Sequence, residues 1–312
     1  MQRGQRDEDE FLAFIPSLRY DEEPIYYLES SVSHRTVQHH SPARSLLICL
    51  IVLCLGQIGF AQEKSGRTHT VRYLKSNQTS KRGIGSAKIL SGRVAVCHIF
   101  CSDSESTWSQ QEEDRALRLS QQAFAFIRGE SLRHNHLVSF VEQIFDPVKL
   151  GEIIPTDAMA DPNWTEEVIT KASGLSGIDL VLQTKERLKT DSVIVCLHVN
   201  KSALSYNLAY YDNVAVKFAA ERMVCFTRYP DGRETAAATY AHEILHLYGA
   251  GDLYFPYDLS PKRKNLAGRH FPNDVMYRVD YDIGRLDVGP FTAFRIGWTN
   301  KLAQKFRAFE DD

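Results

Sequence analysis

Residues 239–254 read TYAHEILHLYGAGDLY, and their types and spacing suit a divalent metal. His242 and His246 are four apart, and on a helix positions i and i+4 share a face, so both imidazoles can reach one ion. Glu243 follows the first histidine, where its carboxylate can take a proton from a water at that ion. Ala, Leu and Ile surround the three in good helix sequence, and an idle carboxylate in such apolar company would be costly. Gly249, three residues past His246, can adopt the left-handed conformation that ends helices. A turn there lets Asp252 reach the ion from the opposite side. Two histidines and a carboxylate, with one position left for water, form a catalytic zinc set, and Glu243 is then the general base.

The pattern HExxHxxGxxD resembles the extended motif HExxHxxGxxH of the metzincin zinc peptidases. His242, Glu243, His246 and Gly249 match it, and Asp252 stands where the third histidine would be, which looks like the snapalysin variant. The resemblance covers about residues 93–300 and implies a methionine turn that floors the zinc site. Met276, in NDVMYR, is the candidate. Tyr277 beside it and Tyr254 are candidates for oxyanion or substrate contact.

What the resemblance implies is Zn²⁺ as cofactor, a protein or peptide as substrate, and endopeptidase activity in which Glu243 hands the water's proton to the leaving amine. A carboxylate ligand lowers the charge of the site relative to three imidazoles, so the water's pKa should lie somewhat higher. Two other readings use the same residues: a zinc amidase acting on a non-protein amide, and a zinc-stabilised binding protein that does not cut. The intact Glu243 argues against the second.

These residues need a scaffold. RVAVCHIF (93–100) reads as a central strand, followed by a helix over 107–129 with Ser109 and Glu112 as a capping box and Gly129 as its stop. HLVSFVEQIF (136–145), DSVIVCLHVN (191–200) and ERMVCFTR (221–228) read as further strands, with short helices at 163–173 and 178–189. YNLAYYDNVAVKFA (206–219) reads as one or two edge elements that could pair with an extended substrate. VGPFTAFRIGW (288–298) reads as a closing helix with Pro290 in its first turn. Strands alternating with crossover helices predict an α+β, mixed α/β fold. By the resemblance this is a metzincin-like twisted mixed sheet with a long backing helix, the HExxH helix, the methionine turn and a C-terminal helix.

Smaller features carry less. His134 and His136 are expected at a solvated helix–strand junction, and PKRK (261–264) in the loop between Asp252 and Met276. Asp280, Asp282 and Asp287 could bind Ca²⁺ but lack EF-hand spacing.

The chain of 312 residues has ordinary globular composition and a formal net charge of −2, which gives no hint of a nucleic-acid partner. Residues 45–62 (SLLICLIVLCLGQIGFAQ) carry no charge and match the apolar core of a secretory signal, with small residues Gly59 and Ala61 at its end. Forty-four residues precede it, so either the start is misassigned and 1–44 is not translated, or 45–62 anchors the protein in a membrane behind a disordered tail. Both imply export, periplasmic or secreted. Residues 63–92 read as a polar linker or pro-segment before a catalytic domain over 93–312. Cys97, Cys101, Cys196 and Cys225 lie on apolar strands. Cys97 and Cys101 would be about 13 Å apart on one strand, too far to bridge each other. A disulfide between strands and buried free thiols both remain open.

Overall fold

The sheet is built around its most continuously apolar segment. The computed structural model describes residues 85–87, 89–157, 162–209, 220–254 and 261–309. Strand β1 (Gly92–Ser102) is buried over most of its length and lies between β2 (Val138–Ile144) and β4 (Ser192–Ser202), parallel to both. Strand β6 (Arg222–Arg228) extends the parallel set beside β4, and β5 (Tyr206–Leu208) runs antiparallel along β6. The order is β2-β1-β4-β6-β5, with the two-residue β3 (Val148–Lys149) pairing with the end of β1. This is the mixed sheet the sequence predicts, and β1 is interior as expected. The described residues all fall in one compact unit, His69–Asp312.

Parallel strands buried on both faces need helices on both faces. Side chains alternate accordingly. Val94, Val96, Ile194 and Met223 join a core with helices α1 (Gln110–Arg133) and α4 (Ala237–Leu247). Ala95, Ile99, Val195 and Phe226 face α2 (Asn163–Ser173) and α3 (Gly177–Leu188). The HExxH segment is α4, pressed between the sheet and its surroundings, with every residue buried. Helices α5 (Pro261–His270) and α6 (Pro290–Arg295) follow it. Among the described residues no helix is long and apolar enough to cross a membrane.

The capping box of α1 forms as predicted: the Glu112 N–H donates to the Ser109 hydroxyl, and the Ser109 N–H donates to the Glu112 carboxylate at 2.9 Å. Ser109→Ala should cost about 1 kcal/mol of stability, measured by chemical denaturation. Gly129 does not stop this helix, which runs on to Arg133. An interior glycine costs only about 1 kcal/mol. Beyond it the buried Glu130 carboxylate holds the helix end in place, accepting from Val288 N–H at 2.9 Å and from Arg133 at 2.7 Å.

Three further expectations are corrected. His134 and His136 are not simply solvated, because their Nε2 atoms lie 2.9 Å and 2.7 Å from the Val288 and Trp298 carbonyls and tie the end of α1 to the C-terminal segment. PKRK begins helix α5 and is not loop. The last residues of the expected linker fold into the body: Ala87 and Leu90 are fully buried, and the Ala87 N–H donates to Glu221 at 2.7 Å. Residues 1–84, with the 45–62 segment, lie outside the described residues, as do 210–219 of the expected edge element. Cys97, Cys101, Cys196 and Cys225 are buried free thiols.

Candidate metal centre

Helix α4 ends as its glycine dictates. Gly249 has φ +100°, which strains any residue with a Cβ. Its N–H donates to His246 O at 2.9 Å, and the Ala250 N–H donates to Leu245 O at 3.1 Å, the paired bonds of a Schellman turn. Arg295 of α6 donates to the Gly249 carbonyl at 3.1 Å and fixes the turn from outside. The reversed chain brings Asp252 back over the helix.

There His242 Nε2, His246 Nε2 and Asp252 Oδ1 form a small triangle with sides of 3.0, 3.0 and 3.3 Å. The opposite ring nitrogens are committed elsewhere. His242 Nδ1 lies 2.9 Å from Val275 O and His246 Nδ1 lies 2.8 Å from Ala250 O. A carbonyl only accepts, so both Nδ1 atoms carry the proton, and each ring in its neutral form presents a bare Nε2 lone pair. Three lone-pair donors converging in a buried site repel one another unless a cation lies among them. Tetrahedral zinc, with bonds of about 2.0–2.1 Å, places its donors roughly 3.3 Å apart. The donor set fits zinc in both chemistry and size.

The electrostatics agree. Burial opposes charge on His246, but Asp252, Glu243 and the Ala250 carbonyl outweigh it and hold the imidazole up at about 9. Burial likewise opposes charge on Asp252, yet the two histidines keep its carboxyl well below the usual carboxylate range.

Glu243 is buried beside this triangle, and Asn207 of β5 approaches its carboxylate with Nδ2 at 3.4 Å. Tyr254 stacks on His242 with ring centroids 6.1 Å apart. The Tyr277 hydroxyl lies against α5, where a Cβ at Gly268 would meet it at 2.5 Å. Asp280, Asp282 and Asp287 are not gathered into a donor cluster among the described residues. Asp280 pairs with Arg278 at 3.4 Å, and Asp282 caps a short 3₁₀ turn at 283–285.

Met276 is fully buried in the α4 core, in a turn whose backbone supports His242 and the segment that carries Asp252. Val275 O receives the His242 ring, and Met276 O accepts the N–H of Leu253, the residue after Asp252, at 2.9 Å. The group that shapes this turn is Asp274, which the sequence reading did not single out. Its fully buried carboxylate accepts from Met276 N–H at 2.9 Å, Gly289 N–H at 3.1 Å and Thr292 Oγ1 at 2.7 Å. Gly289 is small by necessity here, since a Cβ would come 2.6 Å from that carboxylate. Asp274 gave no local signal, because its partners lie up to eighteen residues away.

Burial raises the Asp274 carboxyl to about 7, against the hydrogen bonds that favour its ionised form. A carboxyl whose folded pKa is raised stabilises most below its unfolded pKa and loses that contribution as pH rises through the folded value. Asp274→Asn cannot titrate. It also turns an N–H₂ toward the Gly289 N–H, which should cost about 1–3 kcal/mol. Denaturation across pH 4–8 should show the largest cost at the acid end, shrinking toward pH 7.

No family model matches the chain, and no curated protein matches it. Solved structures similar to it in part include three at low identity. Metalloproteinase-II from Bacteroides fragilis shares 10% identity over 68% of this chain and 53% of its own, at a TM-score of 0.39. A zinc-dependent peptidase from Methanocorpusculum labreanum shares 14% over 69% of this chain and 100% of its own, at 0.25. A chaperone–substrate complex shares 14% over 69% and 35%, at 0.29. The chain spans about half the length of the Bacteroides metalloproteinase. At such TM-scores the likeness says nothing of what this chain does.

Proposed function

We propose that this chain is a zinc-dependent endopeptidase of the HExxHxxGxxD type, with His242, His246 and Asp252 as ligands and Glu243 as general base. The observation that carries the reading is the buried triangle of two imidazole nitrogens and a carboxylate oxygen, each ring fixed by its other nitrogen to a backbone carbonyl. Bound there, zinc would supply Lewis acidity, lowering the pKa of water and polarising a carbonyl. Glu243 takes the proton from water and returns it to the leaving amine. Asn207 orients the Glu243 carboxylate. Asp252 keeps the site less positive than three imidazoles would. Met276 and Asp274 hold the floor beneath the ligands.

A peptide is favoured over a small amide by the position of β5. This strand ends the sheet among the described residues, and its Asn207 touches Glu243, so an extended chain lying along β5 would pass the base. Export through the apolar segment 45–62, as a cleaved signal or an anchor, is part of the same proposal. The test is digestion of a peptide library followed by mass spectrometry. Internal cleavages that stop with a zinc chelator and return with added Zn²⁺ are expected; a zinc-loaded protein that cuts no peptide would overturn the proposal.

A further inference from the structure

A second group of metal-capable side chains lies in the core on the α4 face of the sheet. His98 on β1, with Cys196 and His198 on β4, are all fully buried, and their donor atoms lie within 4.8 Å of one another. Register explains the gathering. His98 is the direct neighbour of Cys196, and Cys196 and His198 are two apart on one strand, so all three point to one face. Cys225 on β6 is the neighbour of His198 in turn, and it packs in the same core.

As in the first site, two imidazole nitrogens face each other at close range, although here the rings are stacked and there they are perpendicular. His98 Nδ1 and His198 Nε2 face each other at 2.9 Å, with the rings stacked at 19°. Their remaining nitrogens each look toward an oxygen. His98 Nε2 is 3.5 Å from the Glu142 carboxylate, and His198 Nδ1 is 3.3 Å from the Tyr240 hydroxyl and 4.0 Å from Cys196 Sγ. Histidines that bind metal through one nitrogen characteristically aim the other at a carboxylate or similar group. A bare hydrogen bond between two imidazoles would account for the 2.9 Å contact alone. It gives no role to the thiol within reach of both, or to the second thiol beside it.

We propose that His98, Cys196 and His198, whose donor atoms converge, form a structural Zn²⁺ site inside the sheet, separate from the His242–His246–Asp252 centre, with Cys225 drawn in from the neighbouring strand as fourth ligand. Loading releases the two thiol protons to solvent. Two thiolates then cancel the ion's charge, and a neutral site is what a dry, fully buried position requires. A closed set of four Cys and His ligands is the composition of structural zinc sites. Through Tyr240, two residues before His242 on α4, the ion would brace the HExxH helix against the sheet.

The test is metal analysis and cobalt spectroscopy of the full chain. Two zinc equivalents per chain are expected, falling to one in Cys196→Ala and to one in His242→Ala. The first centre contains no sulfur, so thiolate-to-cobalt charge transfer reports the second alone. The Co²⁺-loaded wild type and His242→Ala should show that absorption, and Cys196→Ala should lack it. A wild-type cobalt protein without the band overturns the proposal, as does a single zinc that His242→Ala removes entirely. The wild-type measurements stand even where a variant fails to fold. The band in His242→Ala is independent of whether the protein cuts peptides.

Discussion

Glu243→Gln should reduce peptide hydrolysis by about 100- to 10,000-fold, the range a general base contributes, while leaving the zinc content unchanged. Gln has the same shape but cannot take a proton from water at neutral pH. The triangle of His242, His246 and Asp252 does not include position 243, so metal should still bind. Steady-state kinetics on a cleaved peptide, paired with zinc analysis of the same preparation, measures both. Full activity in the variant would show that Glu243 is not the base. Loss of zinc together with activity would show that it holds the site and not the proton.

Asp252→Ala should have the larger effect on metal. It removes one of three donors and leaves two imidazoles facing each other at 3.0 Å, with Glu243 the one remaining carboxylate that acts on His246. Outer-shell partners alone are worth about 10- to 100-fold in metal affinity, so loss of a direct ligand should exceed about 100-fold. Competition against a chromophoric chelator reads this directly, and the variant should retain one zinc equivalent fewer than the wild type. Activity should fall with the metal. Unchanged zinc affinity would mean that Asp252 only closes the glycine turn.

The triangle of His242, His246 and Asp252 was legible in the sequence because its geometry is almost entirely local. Helical periodicity aligns His242 with His246, and a left-handed Gly249 closes a Schellman turn that returns Asp252 six residues later. The apolar strands were legible for a related reason, since runs such as VAVCHIF and VIVCLHV are buried on both faces and need no alternation. What escaped depends on contacts far apart in the chain. Asp274 acquires its role from Gly289 and Thr292, and His98 meets His198 only once β1 and β4 settle in register. Cys196 and His198 did carry a faint signal, a Cys-x-His spacing that puts both side chains on one face of a strand. Gly129 misled because glycine weakens a helix without forbidding it, and the following residues had tertiary partners to hold the turn.

Anomalous diffraction at the zinc absorption edge, from crystals of the protein purified without chelator, tests the central claim most directly. A peak within bonding distance of His242 Nε2, His246 Nε2 and Asp252 Oδ1 is predicted. Zinc-replete crystals with no peak there, and the two imidazoles joined only through a proton, would contradict it.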